Sequence, residues 1–427
     1  MPTPFDSSSL DAWLSYLEQL HPSAIDMGLT RVASVRDAMG LKPDFPVLLV
    51  GGTNGKGSVC TMLSSVLHAA GYKVGTYTSP HLLHYHERVA INLQPASDTD
   101  IVASFQAIEA ARGEISLTYF EFGTLAAMQQ FMAAGVDVAV LEVGLGGRLD
   151  AVNVFEPTAS AVVNVGLDHQ SYLGDTREAI GFEKAGIYRA NKIAICADPE
   201  PPLSLINEAK RIGADLQLIG QDFGFDKQAE GQQWTWWNKN GVRRHALPFP
   251  ALRGQYQLGN AAVVLALLDA VKDVLPIGIG DIKRGLLEVE LAARFQVLPG
   301  RPAVVLDVGH NPHAAKVLRA NLDSMGFYPV THAVMGMMAD KDIAGVVALL
   351  ADRIDVWHLA APQLPRAASP EQLANIVSSL TPRAQINIYE NVELAFTVAC
   401  KLATESDRIL AFGSFYTVAE VMATRER

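Results

Sequence analysis

The chain has 427 residues, more than a single hydrophobic core serves efficiently, so two domains are expected. Its 49% hydrophobic and 19% charged residues exclude a disordered or coiled-coil chain and leave a packed α/β protein as the default. A formal net charge of -11 supplies no global field for nucleic acid or anionic lipid, so an anionic substrate must be gripped by local groups.

Cys60, Cys196 and Cys400 show none of the paired spacings of zinc or redox motifs, which fits a reducing compartment. The opening MPTPFDSSSL has neither a basic nor an apolar leader region. The longest apolar run, near Ala261 to Val271, falls short of the roughly 20 residues that span a bilayer. A cytoplasmic protein without membrane or nucleic-acid partners is expected.

After a Ser-rich cap, Leu10, Trp13, Leu14, Leu17 and Leu20 recur with helical period and predict an amphipathic helix packed on the sheet that follows. Pro46 to Val50 is a short apolar run that leads into Gly51-Gly52-Thr53-Asn54-Gly55-Lys56-Gly57-Ser58, and a helical pattern then runs to Ala70 and stops at Gly71. Further strands are predicted at Lys73 to Tyr77, Val136 to Val143, Ala159 to Val165 and Lys192 to Ala197, separated by helical stretches as in a parallel sheet. Between Gln221 and Leu252 the cluster Trp234, Trp236 and Trp237, followed by Asn240-Gly241, predicts a small antiparallel appendage. A second, Rossmann-like alternation begins at Ala303, with strands near Ala303 to Val308, His332 to Met335, Val356 to Leu359, Ile386 to Tyr389 and Ile409 to Phe412. The boundary is expected near Leu291 to Arg301, where Pro299 and Gly300 punctuate the chain.

A glycine loop between a buried strand and a helix N-terminus gathers backbone N–H groups at the positive end of the helix dipole, which suits phosphate. Here Gly57 stands between Lys56 and Ser58, so the common pattern with Ser or Thr directly after Lys is broken. The chemistry survives: Lys56 supplies charge to the β- and γ-phosphates, and the Ser58 hydroxyl can face magnesium. Glu142 ends its predicted strand before Gly144-Leu145-Gly146-Gly147. In an open α/β sheet that edge meets the ligand crevice, so Glu142 is a candidate magnesium ligand. Asp168-His169 is expected at the same edge. A rival metal cluster of His81, His84 and His86 fails, because neither helical nor extended spacing converges all three.

The loop Gly52-Thr53-Asn54-Gly55-Lys56-Gly57-Ser58 and the run Leu141 to Asp150 resemble the folate branch of the Mur ligase superfamily. The resemblance implies a P-loop ATPase-like central domain with the antiparallel appendage over residues 1–292, and a Rossmann-like ligase domain over 293–427. It implies ATP contacts at Thr53, Asn54, Gly55, Lys56, Gly57 and Ser58, and at Asn260, Arg294 and Asp307, with His310 nearby in a catalytic role. Ser58, Ser79 of Ser79-Pro80-His81-Leu82, Glu142 and His169 are the implied ligands of two magnesium ions. Lys184, in Glu183-Lys184-Ala185-Gly186-Ile187, matches a lysine that is carbamylated in this superfamily; the bland alternative pairs it with a carboxylate on a solvated helix face. Asp26-Met27-Gly28-Leu29, Thr118-Tyr119-Phe120-Glu121 and Leu149-Asp150-Ala151 match the places where bifunctional bacterial members hold dihydropteroate. Tyr119 and Phe120 suit a flat pterin. Ala293 stands where the family usually has Gly, and Gly309 where Ala is common; Gly413-Ser414-Phe415 also fits.

The implied activity is an ATP-dependent ligase in which ATP, lying between the domains, phosphorylates a folate-type carboxylate and the L-glutamate amine attacks the acyl phosphate. The implied partners are small molecules (dihydropteroate, reduced folates and L-glutamate), and a monomer is expected. A cell-wall Mur ligase would usually carry a further N-terminal domain, whereas about 45 residues precede the loop strand here. A P-loop GTPase would need Asn-Lys-x-Asp, which Asn191-Lys192-Ile193-Ala194 fails. A non-catalytic ATP-dependent module would show no glutamate-dependent phosphate release.

Overall fold

A computed structural model describes residues 9–228, 233–254 and 256–426; residues 1–8, 229–232, 255 and 427 lie outside the described residues. Two compact units form. One holds the chain up to Ala251 with Leu258–Val289, the other Leu252–Gln257 with Glu290–Arg427.

The first unit is built on β1 (Val47–Gly51), β2 (Val74–Tyr77), β3 (Val89–Ile91), β4 (Gln94–Pro95), β5 (Val138–Glu142), β6 (Ala159–Val162), β7 (Ile193–Cys196) and β8 (Asp215–Leu218). They form one sheet in the order β4-β3-β2-β5-β1-β6-β7-β8, parallel except that β3 runs antiparallel to both its neighbours. β1 and β5 are buried at every residue, as expected for parallel strands covered on both faces. Val50 pairs with Glu142 and Gly51 with Val162, so β1, β5 and β6 end level. Their outgoing loops therefore share one edge, where open α/β sheets bind ligands.

The first helix, Leu10–Leu20, corrects one expectation. Its Trp13 ring meets Phe105 at 6.0 Å and its Tyr16 hydroxyl donates to Glu109 at 3.0 Å, so it packs on the helix Asp98–Arg112 rather than directly on the sheet. The helical period specifies an apolar face but not what covers it. The loop helix, Lys56–Ala69, is covered by the helix Ile279–Glu288, where Gly285 lies against the Val66 backbone and its carbonyl accepts from the Ser65 hydroxyl at 2.8 Å. The antiparallel appendage is present as β9 (Phe223–Lys227), β10 (Gln233–Asn238) and β11 (Arg243–Pro248). Trp234 and Trp236 fill its buried side, and Asn238 Oδ1 closes the hairpin by accepting from the Asn240 and Val242 amides.

The second unit carries β12 (Gln296–Leu298), β13 (Ala303–Asp307), β14 (Thr331–Met335), β15 (Val356–Leu359), β16 (Gln385–Ile388) and β17 (Arg408–Phe412), in the order β12-β13-β17-β14-β15-β16. Only β12 runs antiparallel. Pro299-Gly300 joins β12 to β13, so this pair marks a hairpin turn inside the second unit and not a linker.

Candidate active site

At the level edge of the first sheet, β1 delivers the chain into the glycine loop. Gly55 turns it at φ 86°, a left-handed conformation that costs glycine little, and the helix starts at Lys56. A Cβ on Gly55 would stand 2.9 Å from Asn260 Oδ1, so the helix Gln257–Ala270 brings Asn260 directly against the loop. Asn164, in the loop after β6, holds the turn in shape: its Oδ1 accepts from the Asn54 amide at 2.9 Å and its Nδ2 donates to the Asn54 carbonyl at 2.8 Å. The Thr53 hydroxyl is tied to Gly166 in both directions. The Lys56 ammonium donates to the Gly52 and Thr53 carbonyls, at 3.2 and 3.4 Å, within the loop it would serve.

Ser58 is buried in the first helical turn, and Glu142 is buried at the end of β5. Glu142 Oε2 accepts from the Ser79 amide at 3.1 Å, which fastens the Ser79-Pro80-His81-Leu82 loop to the β5 terminus. Among the described residues no three His, Cys, Asp or Glu side chains form a metal cage. Magnesium is not bound by such cages: it keeps waters and takes one or two carboxylates together with substrate phosphates. One buried carboxylate and two hydroxyl-bearing serines beside a phosphate loop fit that demand.

The strand that leads to His169 is shorter than expected. β6 stops at Val162, and His169 lies in the loop beyond it, left-handed at φ 50° and capping the short helix Gln170–Leu173. The anchor is a pair the sequence reading did not single out. Asp198 Oδ2 accepts from the Val165 amide at 2.7 Å, while Arg177 donates to both Asp198 oxygens at 3.0 Å and to the Val165 carbonyl at 2.9 Å.

Lys184 sits on the helix Arg177–Ala185 and is 3% exposed, which removes the solvated-face alternative. Burial and then the Lys56 charge push its pKa down to about 7, against the pull of Asp168 and Asp150. His81 accepts from Arg88 at 2.8 Å through Nδ1, whereas His84 and His86 stack on each other at 5.2 Å. The three rings are thus engaged separately.

The three acceptor segments are brought together around Gly144 to Gly147. The Phe120 ring fills the place of a Gly144 side chain and lies 5.8 Å from the Tyr77 ring, and Met27 borders Gly146. Asp150 accepts from the Leu145 and Val152 amides, at 2.7 and 3.1 Å, and caps the turn Ala151–Val154; burial raises its pKa to about 7. Leu149 is half-buried and Ala151 buried beside it. Thr118 and Glu121 form a reciprocal capping box at the start of the helix Tyr119–Ala134. Arg31, also missed, joins two segments: it donates to Asp26 at 2.8 Å and to Glu121 at 3.1 Å. Leu29 caps the helix Thr30–Ala38 that carries Arg31, and Gly28 has open space around it. Thr-x-x-Glu was the legible signal here.

Arg294, Asp307 and His310 lie together in the second unit. Asp307 ends β13, and its two carboxylate oxygens accept from the Phe295 amide at 2.9 Å and the Gly309 amide at 2.7 Å. Burial raises its pKa, opposed by the Gly309 amide and the Arg294 charge. The Arg294 guanidinium lies 4.8 Å from the Phe415 ring centroid, and His310 donates through Nδ1 to the Val308 carbonyl at 2.9 Å. The two departures from the family pattern now have local geometry. Ala293 adopts φ 59°, where glycine is at ease, and an alanine at 309 would press its Cβ to 2.7 Å from Asp307 Oδ1.

Comparison with known proteins matches residues 50–268 to the Mur ligase middle domain and 293–415 to the Mur ligase glutamate ligase domain. The dihydrofolate synthase/folylpolyglutamate synthase of Escherichia coli (strain K12) is 43% identical over 421 residues, 98% of this chain and 96% of that protein. The structure of E. coli FolC in complex with DHPP and ADP superposes with a TM-score of 0.93 at 42% identity, covering 100% of this chain and 99% of that one. A bifunctional folylpolyglutamate synthase/dihydrofolate synthase with Mn, AMPPNP and L-glutamate bound gives a TM-score of 0.91 at 42% identity, covering both chains fully. With both Mur ligase domains matched and a relative 43% identical over nearly its whole length, this chain belongs to the dihydrofolate synthase/folylpolyglutamate synthase family of the Mur ligases.

Proposed function

We propose that this enzyme uses ATP to join L-glutamate to dihydropteroate, forming dihydrofolate, and to reduced folates, forming polyglutamates, each through an acyl phosphate. The observation that carries the reading is the level edge of the first sheet. There the phosphate loop leaves β1 and the buried Glu142 ends β5, while Tyr119 and Phe120 open the helix Tyr119–Ala134 with the Phe120 ring against Gly144, just beyond β5.

Thr53 to Ser58 would cradle the triphosphate with backbone amides, and Lys56 would offset charge on the transferring phosphoryl group, where positioning and electrostatics supply most of the rate. Ser58, Ser79, Glu142 and His169 would hold two magnesium ions, whose chemistry is charge neutralisation on the phosphates. Lys184 would act as a carbamate: its neutral amine adds carbon dioxide, releases a proton and becomes an anion beside those cations. Its burial and depressed pKa support this, since the amine must be unprotonated to react. Asn260, Arg294 and Asp307 would contact ATP and His310 would serve catalysis. The acceptor would lie among Asp26 to Leu29, Thr118 to Glu121 and Leu149 to Ala151.

The domains read as 1–292 for ATP and acceptor and 293–427 for the Rossmann-like ligase portion, in a cytoplasmic monomer with no nucleic-acid partner. No described helix is long and apolar enough to cross a membrane. The deciding assay offers purified protein ATP, magnesium and labelled glutamate with dihydropteroate and tetrahydrofolate in turn. Label should enter both products with stoichiometric phosphate release; incorporation with tetrahydrofolate alone removes the synthase half of the reading.

A further inference from the structure

The turn Ala293-Arg294-Phe295 is strained on both sides of the arginine. Ala293 stands at φ 59° and Phe295 at φ 48°, a left-handed region that non-glycine residues enter only when their surroundings compel it. Both side chains are buried, so the turn cannot relax toward solvent without exposing them. Two side chains supply the compulsion. Asp307 Oδ2 accepts from the Phe295 amide at 2.9 Å, and Gln296 Oε1 accepts from the Ala293 amide at 3.0 Å. The Ala293 carbonyl accepts in turn from the Val308 amide at 3.1 Å. Gln296 opens β12 and pairs with Leu306 of β13, so its backbone is fixed and its amide group reaches back from a rigid strand.

We infer that Gln296 is a positioning residue for Arg294: by holding the Ala293 amide it keeps a strained turn in the one shape that aims the guanidinium across the Phe415 ring. This rests on the reading of Arg294 as an ATP contact. Without the Gln296 carbonyl the Ala293 N–H loses its side-chain acceptor, and the left-handed alanine has less reason to stay where it is. Glutamate at 296 keeps an acceptor oxygen at the same reach. Glycine at 293 removes the strain that the hydrogen bond opposes.

The test uses the full-length enzyme and compares Arg294→Ala, Gln296→Leu, Gln296→Glu, Ala293→Gly and the double variant Ala293→Gly with Gln296→Leu. KM for ATP, KM for dihydropteroate, kcat and the thermal midpoint are measured for each. Gln296→Leu should raise KM for ATP about tenfold, the upper end of the cost of one lost, partly buried hydrogen bond, and leave KM for dihydropteroate unchanged. Gln296→Glu should stay near wild type, and Ala293→Gly should recover much of the loss in the Gln296→Leu background. Arg294→Ala with an altered KM for ATP beside a Gln296→Leu enzyme that is unaltered overturns the positioning role. So does a Gln296→Glu enzyme as impaired as Gln296→Leu, or a uniform fall in kcat and midpoint without a rise in KM. A silent Arg294→Ala overturns the reading of Arg294 itself and the inference with it.

Discussion

The two units solve the same backbone problem in opposite ways. At the phosphate loop the chain must turn left-handed before a helix, and it places Gly55 there, at φ 86°, with Asn260 closing over the missing side chain. At the Arg294 turn the chain makes two left-handed residues of Ala293 and Phe295 and constrains them with Gln296 and Asp307. A conformation secured by residue type is open to a reader of sequence. One secured by tertiary hydrogen bonds is not, because nothing local in Ala-Arg-Phe asks for it.

The sharpest way to break the comparison is to remove charge from the loop side. Lys56→Ala and Glu142→Ala should each lower ligation by roughly a hundred- to a thousandfold or more, the range for losing one preorganised electrostatic group. The thermal midpoint of Lys56→Ala should stay close to wild type, because the loop carbonyls that its ammonium meets can turn to water, whereas Glu142→Ala also loses the bond to the Ser79 amide and should fall further. Near-normal turnover in a steady-state assay would remove the assignment of this loop to phosphate.

Lys184 comes next. Its pKa of about 7 in the folded chain lies below the ordinary lysine value of 10.5, so the folded state binds fewer protons than the unfolded one between those limits. The resulting penalty is full below about 7 and fades as pH rises toward 10.5. Lys184→Met should therefore gain stability over wild type at pH 6 and lose that advantage by pH 10, measured by urea unfolding in carbonate-free buffer. Activity runs on the same amine: the rate should fall as pH drops through about 7, and Lys184→Ala should be nearly inactive yet partly recover with added short carboxylates. A fully active Lys184→Ala enzyme would exclude the carbamate.

How far the fold and site were legible follows from where the signals lie. The strand, loop and helix from Val47 to Ala69 read directly, because a run of buried β residues, a glycine turn and a helical period each have a local cause. The six-stranded second sheet read nearly as well, apart from β12, whose three residues are too short to show a pattern. Asn164, the pair Arg177 and Asp198, and Arg31 did not read at all. Each works by reaching a distant backbone or carboxylate, and no spacing in the chain announces such a contact. Thr118 and Glu121 fall between: their capping box has a four-residue signature, but their tie to Asp26 runs through Arg31.

Gly55→Ala tests the loop half of the contrast at moderate scale. A left-handed alanine costs about 1–2 kcal/mol, and its Cβ would displace the Asn260 side chain. The expected result is a raised KM for ATP and a lower thermal midpoint together. Arg31→Ala should have a narrower effect. It frees the Asp26 loop from Glu121, hydrogen bonds between charged groups that are only partly buried, so KM for dihydropteroate should rise about tenfold while KM for ATP holds. An equal rise in both constants would place Arg31 in the general scaffold.

The smallest expected effect belongs to Ala293→Gly, and its size follows from three opposing terms. Relief of left-handed strain favours glycine by about 1–2 kcal/mol. The greater freedom of glycine in the unfolded chain costs about 0.5–1 kcal/mol. Ala293 is fully buried, so losing its methyl group costs about a further 0.8 kcal/mol. The sum lies close to zero, and urea unfolding of Ala293→Gly should fall within about 0.5 kcal/mol of wild type. Gly55→Ala, the reverse exchange at the other turn, has strain and displacement of Asn260 both acting against it and should be plainly destabilised. If Ala293→Gly instead loses as much as Gly55→Ala, the Ala293 methyl group is a packing element that the turn depends on, and strain held by Gln296 is no longer the reason for its shape.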